Sequence, residues 1–192
     1  MLHGKKVRLR GVERADLPLL VSWMNDPATR ASIARSSPLS MAEEERWFDA
    51  LLKSTTDIVF VIDAIAASPR EKPKTIGMTG IHKIDWKHRN CSVGIVIGDA
   101  GERGKGCGTD AMRALTSHAV NDLGLFRVEL EVFPENKPAI ASYENVGFVV
   151  EGTRRSAMWK DGAFKDLVLM SLLGSDVVRP ALAPTMKKAK KS

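Results

Sequence analysis

The chain has 192 residues, 44% hydrophobic and 27% charged, and carries a net charge of +6. That length fits one domain with its own core, since domains usually run ~100–200 residues, and no run of ~18 apolar residues offers a membrane span. Lys187, Lys188, Lys190 and Lys191 fall in the last six residues and without them the remainder carries only +2, so the folded part is nearly balanced and the tail reads as a solvated end.

The first ten residues lack an apolar stretch, so no secretory signal is expected. Two cysteines, Cys91 and Cys107, suit a reducing, cytoplasmic setting better than a disulfide scaffold. Neither lies in a CxxC or His-rich spacing, so no metal site is expected.

Residues 5–10 alternate Val7 and Leu9 with basic residues, predicting a half-buried strand. Leu17, Leu20, Val21 and Met24 then recur at helical spacing, with Pro18 in the first turn. Asn25-Asp26-Pro27 breaks that helix, and a second helical stretch is expected from about Ala28. Ser40-Met41-Ala42-Glu43 is a capping box opening a helix with Trp47, Phe48, Leu51 and Leu52 inward. Residues 57–65 form a continuous apolar, β-branched run, a buried strand. A polar loop over 68–74 follows, then strands over 75–85 and 91–97. Residues 98–108 are glycine-rich and charged. A helix is predicted from Thr109 to Leu123, ended by Gly124. Residues 125–133 are a strand with Val128, Leu130 and Val132 on one face. A short helix over 138–146 closes at Gly147. Residues 148–159 and 163–173 form a hairpin around Lys160-Asp161-Gly162.

The order β-α-α-β-β-β-α-β-α-β-β predicts an α/β (α+β) fold, a mixed and largely antiparallel sheet of about seven strands with about four helices around it. It occupies residues 1–174, with 175–192 as a basic extension.

Arg103-Gly104-Lys105-Gly106-Cys107-Gly108-Thr109 lies between a buried strand and a helix start. Alternate glycines let the main chain approach a ligand. Successive N–H groups ahead of a helix form an anion pocket, to which Arg103 and Lys105 add charge. The stretch does not supply a Walker A loop. Gly106-Cys107-Gly108-Thr109-Asp110-Ala111 does match G-x-G-x-x-A, which keeps a nicotinamide-binding oxidoreductase as an alternative. Against it, about eight residues separate strand from glycines and the preceding strands read as antiparallel.

Arg103, Gly106 and Gly108 resemble the Arg/Gln-x-x-Gly-x-Gly/Ala diphosphate motif of the GNAT acetyltransferases. Residues 130–148 follow at the right distance, with Asn136 before the helix and Tyr143-Glu144-Asn145-Val146-Gly147-Phe148 at its end. Arg8-Leu9-Arg10, Asp16-Leu17 and Trp23-Met24-Asn25-Asp26-Pro27 are similar to the branch holding ribosomal-protein N-terminal, spermidine and some amino-sugar acetyltransferases. The resemblance covers about residues 5–173.

It implies a GNAT fold with acetyl-CoA as cosubstrate. Main-chain N–H groups of Arg103, Gly104, Lys105, Gly106, Cys107, Gly108 and Thr109 would hold the diphosphate. The strand ending at Ile97 would splay from the next one, so that pantetheine pairs with main chain at Ile95, Val96 and Ile97. Gly94 would sit at a bulge, its freed N–H facing the acetyl oxygen. Tyr143, the sole tyrosine, would protonate the departing thiolate, and Asn136 would bond pantetheine or a water while capping its helix. Glu131 is the candidate base, competing with a solvated strand-face reading and with a water chain. Trp23 and His82 are candidate acceptor contacts. Cys107 has no nearby base for a covalent route.

The expected acceptor is a protein N-terminal α-amine of ribosomal type. The alternative is a small amine such as a polyamine, amino sugar or aminoglycoside. Glu43-Glu44-Glu45 points weakly to polyamines but reads better as an exposed helix start. A third reading is a non-catalytic CoA or nucleic-acid binder. No membrane partner is expected; the lysine tail is a candidate contact for RNA or the ribosome. The resemblance admits a homodimer, though no stretch marks an interface.

Overall fold

Apolar residues at alternate positions assemble one eight-stranded sheet in the computed structural model, which describes residues 1–35, 37–65 and 73–177. Its strands are β1 (Leu2–His3), β2 (Val7–Gly11), β3 (Ile58–Ala64), β4 (Lys74–Asp85), β5 (Asn90–Ile97), β6 (Arg127–Val132), β7 (Val149–Lys160) and β8 (Ala163–Leu173). They lie in the order β1-β2-β3-β4-β5-β6-β8-β7. All pairings are antiparallel except β5 with β6. The strand beyond the expected set is β1, whose two residues are too few to show alternation.

Among the described residues five α-helices lie around the sheet: α1 (Leu17–Asn25), α2 (Pro27–Ser32), α3 (Met41–Leu51), α4 (Cys107–Ser117) and α5 (Lys137–Val146). Local chemistry sets their ends. Pro18 lies in the first turn of α1. Asp26 caps α2 by accepting the Thr29 N–H at 2.8 Å. The capping box at α3 is complete: Ser40 Oγ accepts the Glu43 N–H, and Glu43 accepts the Ser40 N–H at 2.9 Å. Gly147 ends α5 at φ +118°, where a side chain would be strained. At the β7–β8 turn Asp161 and Gly162 both have positive φ, as a two-residue primed turn requires.

Several boundaries differ from the sequence reading. Helix α4 starts at Cys107, not Thr109, because Gly106 takes the left-handed conformation at φ +82° and serves as its N-cap. It gives way after Ser117 to a π-helical turn, His118–Asp122, before Gly124 turns the chain. Glu44 is buried at 6% exposure, so the triple-glutamate start of α3 is not uniformly solvated. The Gly94 bulge is absent: β4 and β5 keep register from Gly77↔Ile97 through Gly80↔Gly94, and the irregularity falls between His82 and Asp85. Lys83, with φ 52°, absorbs it. Of the predicted 68–74 loop only 73 and 74 are described, and the lysine tail lies outside the described residues.

The main core packs α4 and α5 onto one face of the sheet, through Ala111, Met112, Leu115 and Tyr143 against Val7, Ile81, Val128, Leu130 and Val132. A smaller cluster of Leu17, Leu20 and Phe48, with Trp23, Trp47 and Met78, seats α1 and α3. Alternation along β4 explains the division: Thr79 reaches Met112 of α4, whereas the adjacent Met78 packs on the α1–α3 cluster.

Candidate active site

The parallel seam between β5 and β6 is short. Pairing runs through Asn90↔Arg127, Cys91↔Val128 and Ser92↔Glu129 and then stops. Both strands continue, β5 to Ile97 and β6 to Val132, the latter held on its other edge by β8. The sheet therefore opens along its length, as expected of this pair. A cavity of about 1060 Å³ fills the opening, at the upper end of ordinary ligand pockets. Val93, Gly94, Ile95, Val96 and Ile97 line one side, and Glu131, Val132 and Phe133 the other.

The glycine-rich turn closes one end of that cavity. Gly104 and Gly106 have φ of +74° and +82°, and Arg103, Gly104, Gly106, Gly108 and Thr109 line it. Cys107, Gly108 and Thr109 form the first turn of α4, whose N–H groups lack intrahelical partners. The partial positive charge of the helix end adds to them. The two basic side chains of the turn are otherwise engaged. Arg103 donates to the carbonyls of Ile97 and Gly98 and, at 2.8 Å, to Thr29 Oγ1 of α2. Lys105 pairs with Glu102 at 3.2 Å and does not line the cavity. Cys107 turns its thiol into the core, where burial raises its pKa, with Glu102 adding to the effect. That environment disfavours a thiolate nucleophile.

Tyr143 projects from α5 into the same cavity and is 9% exposed. Burial pushes its phenol up to about 12, so it stays protonated at neutral pH. Asn136 accepts the Ala139 N–H at 3.3 Å as N-cap of α5, leaving its side-chain NH₂ as a donor at the cavity wall. Thr109 and Ser142 hydroxyls meet at 2.7 Å, joining α4 to α5 beside the opening.

Glu131 stands on the face of β6 opposite the main core, its side chain 44% exposed and paired with Arg154 of β7. It also borders the cavity. His82 borders it from β4, with Nδ1 3.1 Å from Asp57 Oδ1. Asp57 keeps a lowered pKa: burial opposes its charge, but hydrogen bonds from Ser54, Thr56 and His82 outweigh that. Trp23 is not part of the lining. Its indole packs in the α1–α3 cluster and against Gly98, where a Cβ would come within 2.0 Å of the ring. Met24, the next residue, lines the cavity in its place.

The sequence reading missed two supports of the turn. Lys6 Nζ donates to the Lys105 carbonyl at 2.7 Å. Asp110, 8% exposed, accepts the main-chain N–H groups of Lys6 and Val7. Both contacts span roughly a hundred positions, so no local spacing signals them.

A parted parallel seam capped by a glycine turn and a helix N-terminus defines an acyltransferase that works on a nucleotide thioester. Residues 6–149 match the model of the acetyltransferase (GNAT) domain, and the chain belongs to that family. It is thus an N-acetyltransferase of GNAT type, which removes the oxidoreductase alternative. The strands before the glycines are antiparallel as expected, while β5, α4 and β6 form a parallel unit. The chain is 36% identical to the putative ribosomal N-acetyltransferase YdaF of Bacillus subtilis over 97 residues, 50% of this chain and 52% of that one. It is 24% identical to the spermidine N(1)-acetyltransferase of Vibrio cholerae over 90% of this chain and 95% of that one. A crystal structure of the Vibrio cholerae spermidine N-acetyltransferase in complex with CoA and spermine superposes with a TM-score of 0.82 at 24% identity, covering 90% of this chain and 98% of that one. No described helix is long and apolar enough to cross a membrane.

Proposed function

We propose that this chain transfers the acetyl group of acetyl-CoA to the primary amine of a small molecule. The observation that carries the reading is the seam: strand pairing that ends at Ser92↔Glu129 beside a cavity walled by Tyr143. Whichever of the main-chain groups over residues 95–97 point to the cavity edge rather than to β4 supply partners for the pantetheine arm, and the N–H groups from Gly104 to Thr109 supply them for the diphosphate. The NH₂ of Asn136 steadies pantetheine from the opposite wall.

In the chemical step the amine nitrogen attacks the thioester carbonyl. The N–C bond forms and negative charge collects on the acetyl oxygen, which a main-chain N–H on the cavity-facing edge of β5 would meet. The C–S bond then breaks and the Tyr143 phenol protonates the leaving thiolate. The proton lost by the amine passes toward Glu131 and solvent at the cavity mouth.

A small acceptor is favoured over the protein α-amine expected from sequence. Spermidine acetyltransferases align with almost the whole chain, whereas the putative ribosomal relative aligns with half of it. The higher identity of that half keeps a peptide α-amine as the second reading. The test is thiol release from acetyl-CoA against polyamines, amino sugars, amino acids and peptides. Turnover on small amines is expected; turnover restricted to peptides would replace the first reading with the second. Absence of acetyl-CoA binding by calorimetry would refute both.

A further inference from the structure

Lys160, the last residue of β7, is a charged side chain placed almost wholly inside the protein, at 5% exposure. Its Nζ donates to the main-chain carbonyls of Arg30, Ala31 and Ile33 and lies 4.9 Å from the centroid of the Phe133 ring. Three ammonium hydrogens meet three carbonyls, which uses every donor the group has. Arg30 and Ala31 belong to the last turn of α2 and Ile33 is its C-cap. The Arg30 carbonyl also accepts the Ile33 N–H at 3.4 Å, and carbonyls at a helix end carry its partial negative charge. Among the described residues the ammonium forms no salt bridge; these carbonyls, the aromatic face and the nearby charges of Asp161 and Glu135 work against the cost of its burial.

The position of this contact is informative. Helix α2 has six residues, too few to persist without tertiary support. Near its start Thr29 is held by Arg103 of the glycine turn. At its end it is held by Lys160. Between and just beyond these clamps, Ser32, Ile33 and Ala34 face the cavity, and Phe133 faces it from β6. The contacts of Lys160 therefore fall on two walls of the cavity, the C-terminal end of α2 and the end of β6, while Lys160 itself stands outside the lining.

We propose that Lys160 is a positioning residue for the acceptor, setting the wall formed by Ile33 and Ala34 against Phe133 so that the amine-bearing molecule is held at the thioester. The proposal rests on the proposed amine acetylation, with the amine-bearing molecule seated against Ile33, Ala34 and Phe133 of the cavity wall. It gives the β7–β8 hairpin a part in acceptor recognition, because its turn carries the lysine that closes α2.

The experiment uses the full chain with acetyl-CoA and the best amine found in the panel. Lys160→Met keeps the side-chain length and removes the three donors. It should raise the acceptor KM about tenfold or more, a loss on the scale of charge-assisted hydrogen bonds. Acetyl-CoA affinity by calorimetry and kcat at saturating amine should stay within about twofold, as expected for loss of uniform acceptor binding. Hydrogen exchange of the amides over residues 27–34 should accelerate more than that of α4. Lys160→Gln, which keeps part of the donor set, should fall between, and it carries the comparison if the methionine variant does not fold. An unchanged acceptor KM in a folded variant, or equal loss of acetyl-CoA affinity, overturns the proposal. Wild-type protein inactive on every amine would instead overturn the functional reading beneath it.

Discussion

Asp110 Oδ2, in the first turn of α4, accepts the main-chain N–H of Lys6 at 2.7 Å, across 104 positions of the chain. The same oxygen accepts the Val7 N–H at 3.1 Å, and the Lys6 ammonium returns to the Lys105 carbonyl. The start of the sheet thereby buttresses the turn that faces the cavity from behind. Asp110→Ala leaves two main-chain donors near a buried position without their partner. It should cost about 3 kcal/mol of stability by urea unfolding and weaken acetyl-CoA binding in the folded fraction.

Two glycines of the turn are separable by experiment. Gly106 has φ +82°, so Gly106→Ala forces a left-handed alanine and should cost about 1–2 kcal/mol in stability. Gly108 has ordinary helical backbone, and an added Cβ would meet Ile97 Cγ1 at 3.5 Å, a normal contact. It lines the cavity, however. Gly108→Ala should leave the melting temperature nearly unchanged while lowering acetyl-CoA affinity, measured by calorimetry.

Tyr143→Phe removes the proposed acid and little else, since the ring still packs 5.9 Å from Phe148 between centroids. Turnover should fall on the order of 100-fold with acetyl-CoA affinity within about twofold. With the phenol raised to about 12, the acid is protonated below that pH and is lost only above it. The wild-type rate should therefore show no alkaline decline from Tyr143 up to pH ~10. A rate unaffected by the substitution would remove Tyr143 as acid.

Glu131→Gln tests where the amine's proton goes. The carboxylate is shared with Arg154 and solvent, so the loss at neutral pH should be modest, on the order of tenfold. An alkylamine titrates near ~10.4, and its free-base fraction grows as pH rises toward that value. The gap between wild type and variant should accordingly narrow from pH 7 to 10. A gap that stays constant would assign Glu131 to binding alone.

The local code of this chain was legible. Ser40 and Glu43, Pro18, Gly147 and Asp161-Gly162 were read correctly as caps and turns because each acts on its own few residues. Arg103, Gly106, Gly108, Asn136 and Tyr143 marked the family and face one cavity. Other positions depended on neighbours distant in sequence. Trp23 reads as a packed helix residue that could also wall the cleft, and only its placement against Gly98 decides for packing. Glu44 looks exposed until its helix is packed, and Gly94 looks like a bulge until its register with Gly80 is known.

Periodicity and turn chemistry, then, determined the elements, their order and the turn that faces the cavity, since these are properties of adjacent residues. Tertiary structure alone decided where the β5–β6 seam, expected to part, does so, that Lys6 and Asp110 brace the turn, and that Lys160 closes α2. The physical reason is that main-chain donors and acceptors must find partners wherever folding leaves them, and a sequence does not record which distant side chain will be there to meet them.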